Sequence, residues 1–432
     1  MKNPIAKGVF DIVPHDPSPE GVWRSSHLWQ YVEETIRSLA NVYGYREIRT
    51  PIFERTELFV RGVGDSSDIV TKEMYTFEDR GGRLMTLRPE GTAAVMRAVI
   101  EKRLEQQPAS QKLFYIGPMF RYERPQAGRY RQHHQFGVEA VGDPSPEQDV
   151  EVIDLLCELY QRLGLKNLTV MVNSVGDAKT RKEYGEALRT HLSPSFDQLS
   201  AESQIRFEKN VLRILDSKDQ NDQKLLEKAP SILDFLTEES KEHFVRVQAL
   251  LKKIGRKFVA QPNLVRGLDY YTNTVFEITS GELGSQNAVG AGGRYDGLSP
   301  LLGGPPLPAI GFATGIERMI QTCLAQNTPF PKAPHPLLFL IPLGERAKDR
   351  AIDLSYELRH QNVATEIQWH PKKVGTALQR ATQLNATYAL ILGENELDSG
   401  SITLKELATR REIPLPLTDL IDFLLGLNPT SD

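Results

Sequence analysis

Two cysteines in 432 residues, Cys157 and Cys323, are too few for a disulfide framework or a cysteine-built zinc site. Both lie in helix-like runs and read as small core hydrophobes, which fits a reducing compartment. Long hydrophobic runs are missing too. No stretch approaches the length of a membrane span, and the opening MKNPIAKGVFDIVP has no apolar leader core. The expectation is a cytoplasmic protein with no membrane role. Neither sign of charge is in large excess: 52 Lys and Arg stand against 56 Asp and Glu, a net charge of −4. No global field draws in nucleic acid, so any such binding must use local basic stripes. Common catalytic signatures are absent as well. There is no GxSxG, no GxxxxGK[ST] loop and no GxGxxG opening a helix. His133 and His134 are adjacent and point to opposite faces if they lie in a strand, while His15, His27 and His370 are isolated. No protein-made metal site is expected.

What remains is an ordinary globular composition, 40% hydrophobic and 25% charged, long enough for two or three domains. SSHLWQYVEETIRSLANVYGY reads as a helix, with Tyr31, Thr35, Leu39 and Val42 at helical spacing. Pro51 interrupts a strand-like run and marks an edge, a bulge or an interface. Arg80-Gly81-Gly82 reads as a hairpin turn, and a helix begins at Gly91-Thr92. Two strands, LFYIGPMFRYE and YRQHHQFGVEAVG, flank a Gly/Pro loop. Ser145 then caps a helix with Pro146 in its first turn. Residues of about 176–260 turn Glu-, Lys- and Gln-rich and read as a helical insertion between strands of one sheet. VRGLDYYTNTVFEI returns to strand character, followed by Gly-rich AVGAGGRYDGL and a strand-to-helix segment, PAIGFATGIERMIQTCLAQ. The domain boundaries expected are a core over 1–326, a Pro-rich linker over 327–334 and a small α/β domain over 335–432.

The charged hairpin carries the chemistry. Arg121, Arg124, Arg129 and Arg131 face only Glu123 in sequence, and arginine forks suit phosphate. Arg121 and Glu123 are expected to share a strand face, as are Gln135, Gly137 and Glu139. Such a face is costly to bury without a ligand, and a bare glycine leaves room for something flat. Glu90 in LRPEGT reads equally as a helix cap or as a carboxylate aimed at a ligand cation. Arg266 stands at the mouth of a strand, beside Gly267 and two tyrosines.

In order and spacing these segments resemble the histidyl-tRNA synthetases, a family of class II aminoacyl-tRNA synthetases. TPIFERTELFVRGVG is similar to the first class motif, MFRYERPQAGRYRQHHQFGVE to the second and GFATGIER to the third. LRPEGT, RGLDYYTNTVFE and GGRYDGL resemble segments particular to the histidine-specific enzymes. The resemblance covers essentially the whole chain. It implies an α+β fold: an antiparallel sheet flanked by helices, with a helical insertion and a C-terminal α/β anticodon-binding domain. It implies a ligase that activates L-histidine with ATP to histidyl-adenylate and pyrophosphate, then esterifies the terminal ribose of tRNA(His).

By that resemblance Arg266 and Arg121 hold the α-phosphate region, and Gly267 lets the backbone turn close to the ligand. Glu90, Gly91, Thr92, Gln135, Glu139, Tyr270, Tyr271 and Tyr295 form the histidine site. Tyr271 and Tyr295 are expected to touch the imidazole directly, with Tyr270 in support because strand neighbours face opposite ways. Arg121, Glu123, Arg129, His133 and Arg318 form the ATP site, with Mg²⁺ held mainly by the ATP phosphates. The first motif implies a homodimer. Two positions depart from the family pattern: Asn273 where glycine is usual, and His133 where a phenylalanine commonly stacks on adenine. Lys372, Lys373, Arg380, Lys405, Arg410 and Arg411 scatter positive charge over the last domain, where the resemblance implies anticodon binding in addition to acceptor-stem contacts elsewhere. One rival is a regulatory paralogue that has lost aminoacylation, but it would erode Arg266, Arg121 and Arg318, all present here. A second rival is a silent core serving as an RNA-binding or sensor module.

Overall fold

The structure is a computed structural model that describes residues 4–64, 67, 69–107, 110–123, 129–266, 270–281 and 288–427. Arg124, Gly267 and Asp269 lie outside the described residues. The chain forms two compact units, Met1–Pro331 and Lys332–Asp432.

The first unit begins with α1 (Ser26–Val42), β1 (Arg46–Glu47), β2 (Phe53–Arg55) and α2 (Thr56–Val63). β3 (Tyr75–Glu78), β4 (Leu84–Leu87) and α3 (Thr92–Glu101) follow. Next come a long hairpin, β5 (Gln111–Phe120) and β6 (Gln132–Val141), then α4 (Pro146–Arg162) and β7 (Leu168–Ser174). Helices α5 (Ala178–Leu192), α6 (Ala201–Lys209), α7 (Gln220–Leu226) and α8 (Glu238–Lys253) precede β8 (Phe258–Ala260). β9 (Thr272–Ser280), β10 (Ala288–Arg294), α9 (Leu298–Leu301), β11 (Ala309–Gly315) and α10 (Ile316–Ala325) complete it.

Eight strands form the main sheet in the order β1-β5-β6-β11-β10-β9-β7-β8. The six central strands are antiparallel, and only the outermost pairs, β1 with β5 and β7 with β8, run parallel. Alternation divides each strand between two faces. Phe136, Val138 and Ala140 of β6 enter one large core with residues of α1, α4, α8 and α10. Gln135, Gly137 and Glu139 therefore face the other side, as the sequence predicts. Both cysteines lie in helices packed into that core, and burial pushes each thiol up to about 12.

The stripe expected on α1 is misplaced by about one residue. Leu28, Trp29, Val32, Ile36, Leu39 and Ala40 are buried, whereas Val42 is 68% exposed. Both stripes satisfy helical spacing, and the helix buries the more apolar one. The Gly-rich segment forms a central strand, β10. A side chain at Gly292 would come within 2.1 Å of the Gly311 carbonyl oxygen, so the glycine permits close approach of the strands. Pro51 lies between β1 and β2, outside both.

The segment read as one insertion divides in two. α5, α6 and α7 surround their own cluster of Tyr184, Leu188, Val211, Ile214 and Leu226. A fully buried carboxylate, Asp222, ties this part together by accepting hydrogen bonds from Ser200, Ser203 and Ser217. α8 instead packs into the large core, and β8 joins the sheet edge.

A separate three-stranded sheet, β2-β4-β3, leaves Ile52, Phe53, Phe77 and Leu84 exposed, with the Phe53 and Phe77 rings 6.0 Å apart. The second unit comprises β12 (Leu338–Pro342), α11 (Glu345–His360), β13 (Thr365–Ile367), α12 (Val374–Gln383), β14 (Tyr388–Leu392), α13 (Glu394–Ser399), β15 (Ser401–Glu406), β16 (Glu412–Pro416) and α14 (Leu420–Leu427). Its sheet order is β13-β12-β14-β15-β16, with the first three parallel.

Candidate active site

The open face of the main sheet holds a two-lobed cleft. Its floor is one cross-strand row: Tyr115, Gly137, Ala313, Ala291 and Glu277 are successive partners on β5, β6, β11, β10 and β9. Three small residues lie between a phenol and a carboxylate, so the backbone itself forms the base of the cleft. The Gly137 space is not left to a ligand, as the sequence suggested. A Cβ there would sit 2.1 Å from the Tyr115 ring, so this glycine seats Tyr115.

The smaller lobe, of about 170 Å³, is lined by Glu90, Thr92, Tyr115, Tyr270, Tyr271 and Tyr295 among others. Glu90 follows β4 and caps α3, its oxygens accepting from Thr92 N at 2.6 Å and Ala93 N at 2.9 Å. The capping carboxylate also lines the lobe. Burial raises its carboxyl despite those N–H groups. Glu139, 1% exposed, accepts from Thr92 Oγ1 at 2.7 Å and from the Tyr295 hydroxyl. Burial pushes Glu139 up to about 8, against the pull of those hydroxyls and with help from the Glu90 charge. Gly91 is the N-cap of α3 beneath the Tyr115 ring and does not line the lobe. Tyr270 and Tyr271 precede β9, so strand alternation does not separate them. Both line the lobe, with ring centroids 4.8 Å apart.

The larger lobe, of about 310 Å³, is lined by Arg121, Glu123, Arg129, His133, Arg266 and Arg318 among others. β5 ends at Phe120, so Arg121 and Glu123 do not share a strand face. The chain turns after Phe120, with Glu123 N donating to the Arg121 carbonyl at 2.8 Å. Glu123 pairs with Arg129 at 3.2 Å, and Arg121 Nε donates to the Pro89 carbonyl at 2.8 Å. Arg318 Nη1 donates to the Ala288 carbonyl at 2.6 Å. Burial, then the nearby Arg121 charge, pushes His133 down to about 3, so its ring is neutral at ordinary pH. His134 faces away, its Nδ1 3.0 Å from Glu317 and its ring against Trp29.

The lobes share Arg121, Gln135, Arg266, Ala291 and Ala313. Arg266 Nη1 donates to Glu277 Oε2 at 2.7 Å. Among the described residues, Arg266 Nε and Gln135 Oε1 are buried without a hydrogen-bond partner. Unpaired buried polar atoms are costly, and two of them at the junction mark where a polar ligand fits.

Sequence reasoning missed Glu277, Tyr115 and Glu317. A lone carboxylate within apolar TNTVFEITS was the one available signal for Glu277. Tyr115 follows once β5 is registered against β6. A larger cavity, of about 520 Å³, extends over Met171 and Thr279 towards Lys218, and among the described residues it shares Glu277 alone with the cleft.

Known proteins bear on this geometry. The family model for histidyl-tRNA synthetase matches residues 16–319, and that for an anticodon-binding domain matches residues 338–427. A histidine–tRNA ligase of Protochlamydia amoebophila is 56% identical over 420 residues, covering 97% of this chain and 99% of that protein. One from Bacillus licheniformis is 47% identical over 423 residues, covering 97% and 98%. The crystal structure of an apo S. aureus histidyl-tRNA synthetase superposes with a TM-score of 0.82 at 37% identity, covering 98% of this chain and 100% of that one.

Proposed function

The chain belongs to the histidyl-tRNA synthetase family, and from that premise we propose that the two-lobed cleft activates L-histidine with ATP and passes the histidyl group to tRNA(His). The protein is an aminoacyl-tRNA synthetase, a ligase with ATP as a substrate. The observation that carries the reading is a buried acid-and-phenol lobe opening into an arginine-lined lobe, with Arg121, Gln135 and Arg266 at the junction.

In the first step a carboxylate oxygen of histidine attacks the α-phosphorus of ATP. The bond from that phosphorus to the bridging oxygen breaks, and pyrophosphate leaves with the electron pair. Negative charge grows on the α-phosphate oxygens, the position assigned to Arg266 and Arg121. A guanidinium suits it because it needs no change of protonation. Glu277 holds one nitrogen of Arg266, and Nε is left for the ligand. In the second step a hydroxyl of the terminal ribose attacks the acyl carbon, the bond from that carbon to the phosphate oxygen breaks, and AMP leaves with the electron pair while the hydroxyl proton passes to the departing phosphate. Both steps call for positioning more than for a protein nucleophile.

Histidine occupies the smaller lobe, with Glu90, Thr92, Gln135, Glu139, Tyr270, Tyr271 and Tyr295 around it and Gly91 supporting the wall. An imidazole N–H meeting Glu139 would draw that carboxyl towards its ionised form. ATP occupies the larger lobe with Arg121, Glu123, Arg129 and Arg318, its adenine against the neutral His133 ring. The donor set fits a polyphosphate better than a caged cation, because Glu123, Glu277 and Glu317 each have a basic partner. Mg²⁺ would enter on the phosphate oxygens and offset their charge.

The second unit binds the anticodon of tRNA(His), supported by the family match over residues 338–427, and the acceptor stem meets the catalytic unit. The chain works as a homodimer, supported by the exposed apolar face of β2 and β3. Its compartment is the cytoplasm. Among the described residues no helix is long and apolar enough to cross a membrane.

ATP–pyrophosphate exchange tests the reading. Exchange is expected with histidine and with no other amino acid, and its absence from the folded protein would refute the assignment. Removing the chain beyond Pro334 is expected to depress tRNA charging far more than exchange. Equal losses would contradict the separate role of the second unit.

A further inference from the structure

Tyr271 packs into two hydrophobic clusters at once. One is the insertion's own core around Tyr184, Leu188 and Val211, and the other backs the smaller lobe with Tyr115, Tyr270 and Tyr295. Tyr271 precedes β9 and so takes no place in that strand's ladder. Its carbonyl oxygen accepts instead from Arg181 Nη1, on the first turn of α5, at 2.9 Å.

The start of α5 is itself anchored. Asp177 caps it by accepting from Thr180 N at 2.8 Å, and its other oxygen accepts from Thr237 Oγ1, the residue before α8, at 3.1 Å. Two residues beyond Tyr271, Asn273 adopts φ +47°, a conformation asparagine tolerates better than most side chains. Its N–H donates to the Gly176 carbonyl at 2.9 Å, its carbonyl accepts from Val175 N at 2.8 Å, and its side-chain oxygen accepts from Ser240 Oγ at 2.8 Å. The entry and the exit of the helical segment therefore both grip the chain around Tyr271. No residue of α5 to α8 lines either lobe.

We infer that Arg181 is a positioning residue for the amino-acid substrate: through it the insertion holds Tyr271 against the smaller lobe and sets affinity for histidine without touching it. The inference rests on the proposed function, in that the smaller lobe is taken as the histidine pocket. Its effect is confined to that lobe, because Tyr271 does not line the larger one.

The test uses the full chain with Arg181→Ala and Arg181→Lys, reading exchange rates against histidine and ATP separately, together with the thermal midpoint. Loss of the charge-assisted hydrogen bond to the Tyr271 carbonyl is expected to raise KM for histidine about tenfold. KM for ATP and kcat should stay within about twofold, and the lysine variant should recover part of the loss. Ser240→Ala, which frees the Asn273 side chain, should shift KM for histidine in the same direction by a few-fold. An unchanged KM for histidine in Arg181→Ala overturns the inference. So does a joint rise in both KM values with a lowered midpoint, which marks a purely structural role. Exchange by the unmodified protein is the control: its absence would overturn the proposed function and this inference together, whereas normal exchange with unaltered variants overturns this inference alone.

Discussion

The two lobes of the cleft share a wall yet treat charge in opposite ways. The smaller lobe buries Glu90 and Glu139 among hydroxyls and helix N–H groups, and burial favours their neutral forms. The larger lobe keeps permanent cations, Arg129 held by Glu123 and, at the junction with the smaller lobe, Arg266 held by Glu277. A pocket of titratable groups can choose a ligand by exchanging hydrogen bonds and protons. A pocket of guanidinium groups can stabilise charge that appears during reaction without waiting for a proton. On the proposed function, selection and chemistry fall to neighbouring sets of side chains with different physics.

The sharpest way to break this contrast is Arg266→Ala. It removes a cation from the place where the proposed function puts the developing charge, and activation should fall by about two to three orders of magnitude. Folding should be unaffected, because Arg266 is half-buried and, among the described residues, makes one ion pair. A near-normal exchange rate would show that charge is stabilised elsewhere.

Glu139→Gln tests the smaller lobe and should raise KM for histidine by about ten- to a hundredfold. It also carries a pH signature. The folded protein keeps a proton on Glu139 that the unfolded chain, with the ordinary glutamate value of 4.5, releases. The unliganded protein therefore loses stability as pH rises from about 4.5, and the loss is complete near 8. Thermal midpoints across that range should decline less steeply in the variant, and an identical slope would mean that Glu139 is ionised throughout. The smallest effect is expected from His133→Phe. Because burial pushes His133 down to about 3, KM for ATP should move by less than about threefold, and equally at pH values near 6 and near 8. A pH-dependent difference would mean that the imidazole carries charge in the larger lobe.

Much of the site was legible because β6 has a period of two: Gln135, Gly137 and Glu139 share a face on spacing alone. The Ser145 cap and the start of α3 were equally readable, being local. The misses arose where distant segments decide the outcome. Arg121 and Glu123 look like alternating strand residues, but the chain turns after Phe120. Glu277 becomes a site residue only because β9 pairs with β10, which sets it beside Ala291. Arg294 in GGRYDGL is nearly fully buried and paired with Asp149 of α4 and with Asp296, and nothing local predicts the more distant of those partners. The division of the insertion likewise depends on α8 finding α4, a contact across about ninety residues of chain.

The two thiols have a practical consequence. Cys157 and Cys323 lie in the core with their ionisation suppressed, and the thiolate is the form that reacts. For alkylating dyes and spin labels the natural chain is therefore chemically quiet. A single cysteine introduced at an exposed position of α5, such as Glu183→Cys, would label selectively without first stripping out the native pair. A probe there would report the motion of the helix that grips Tyr271 while substrates bind.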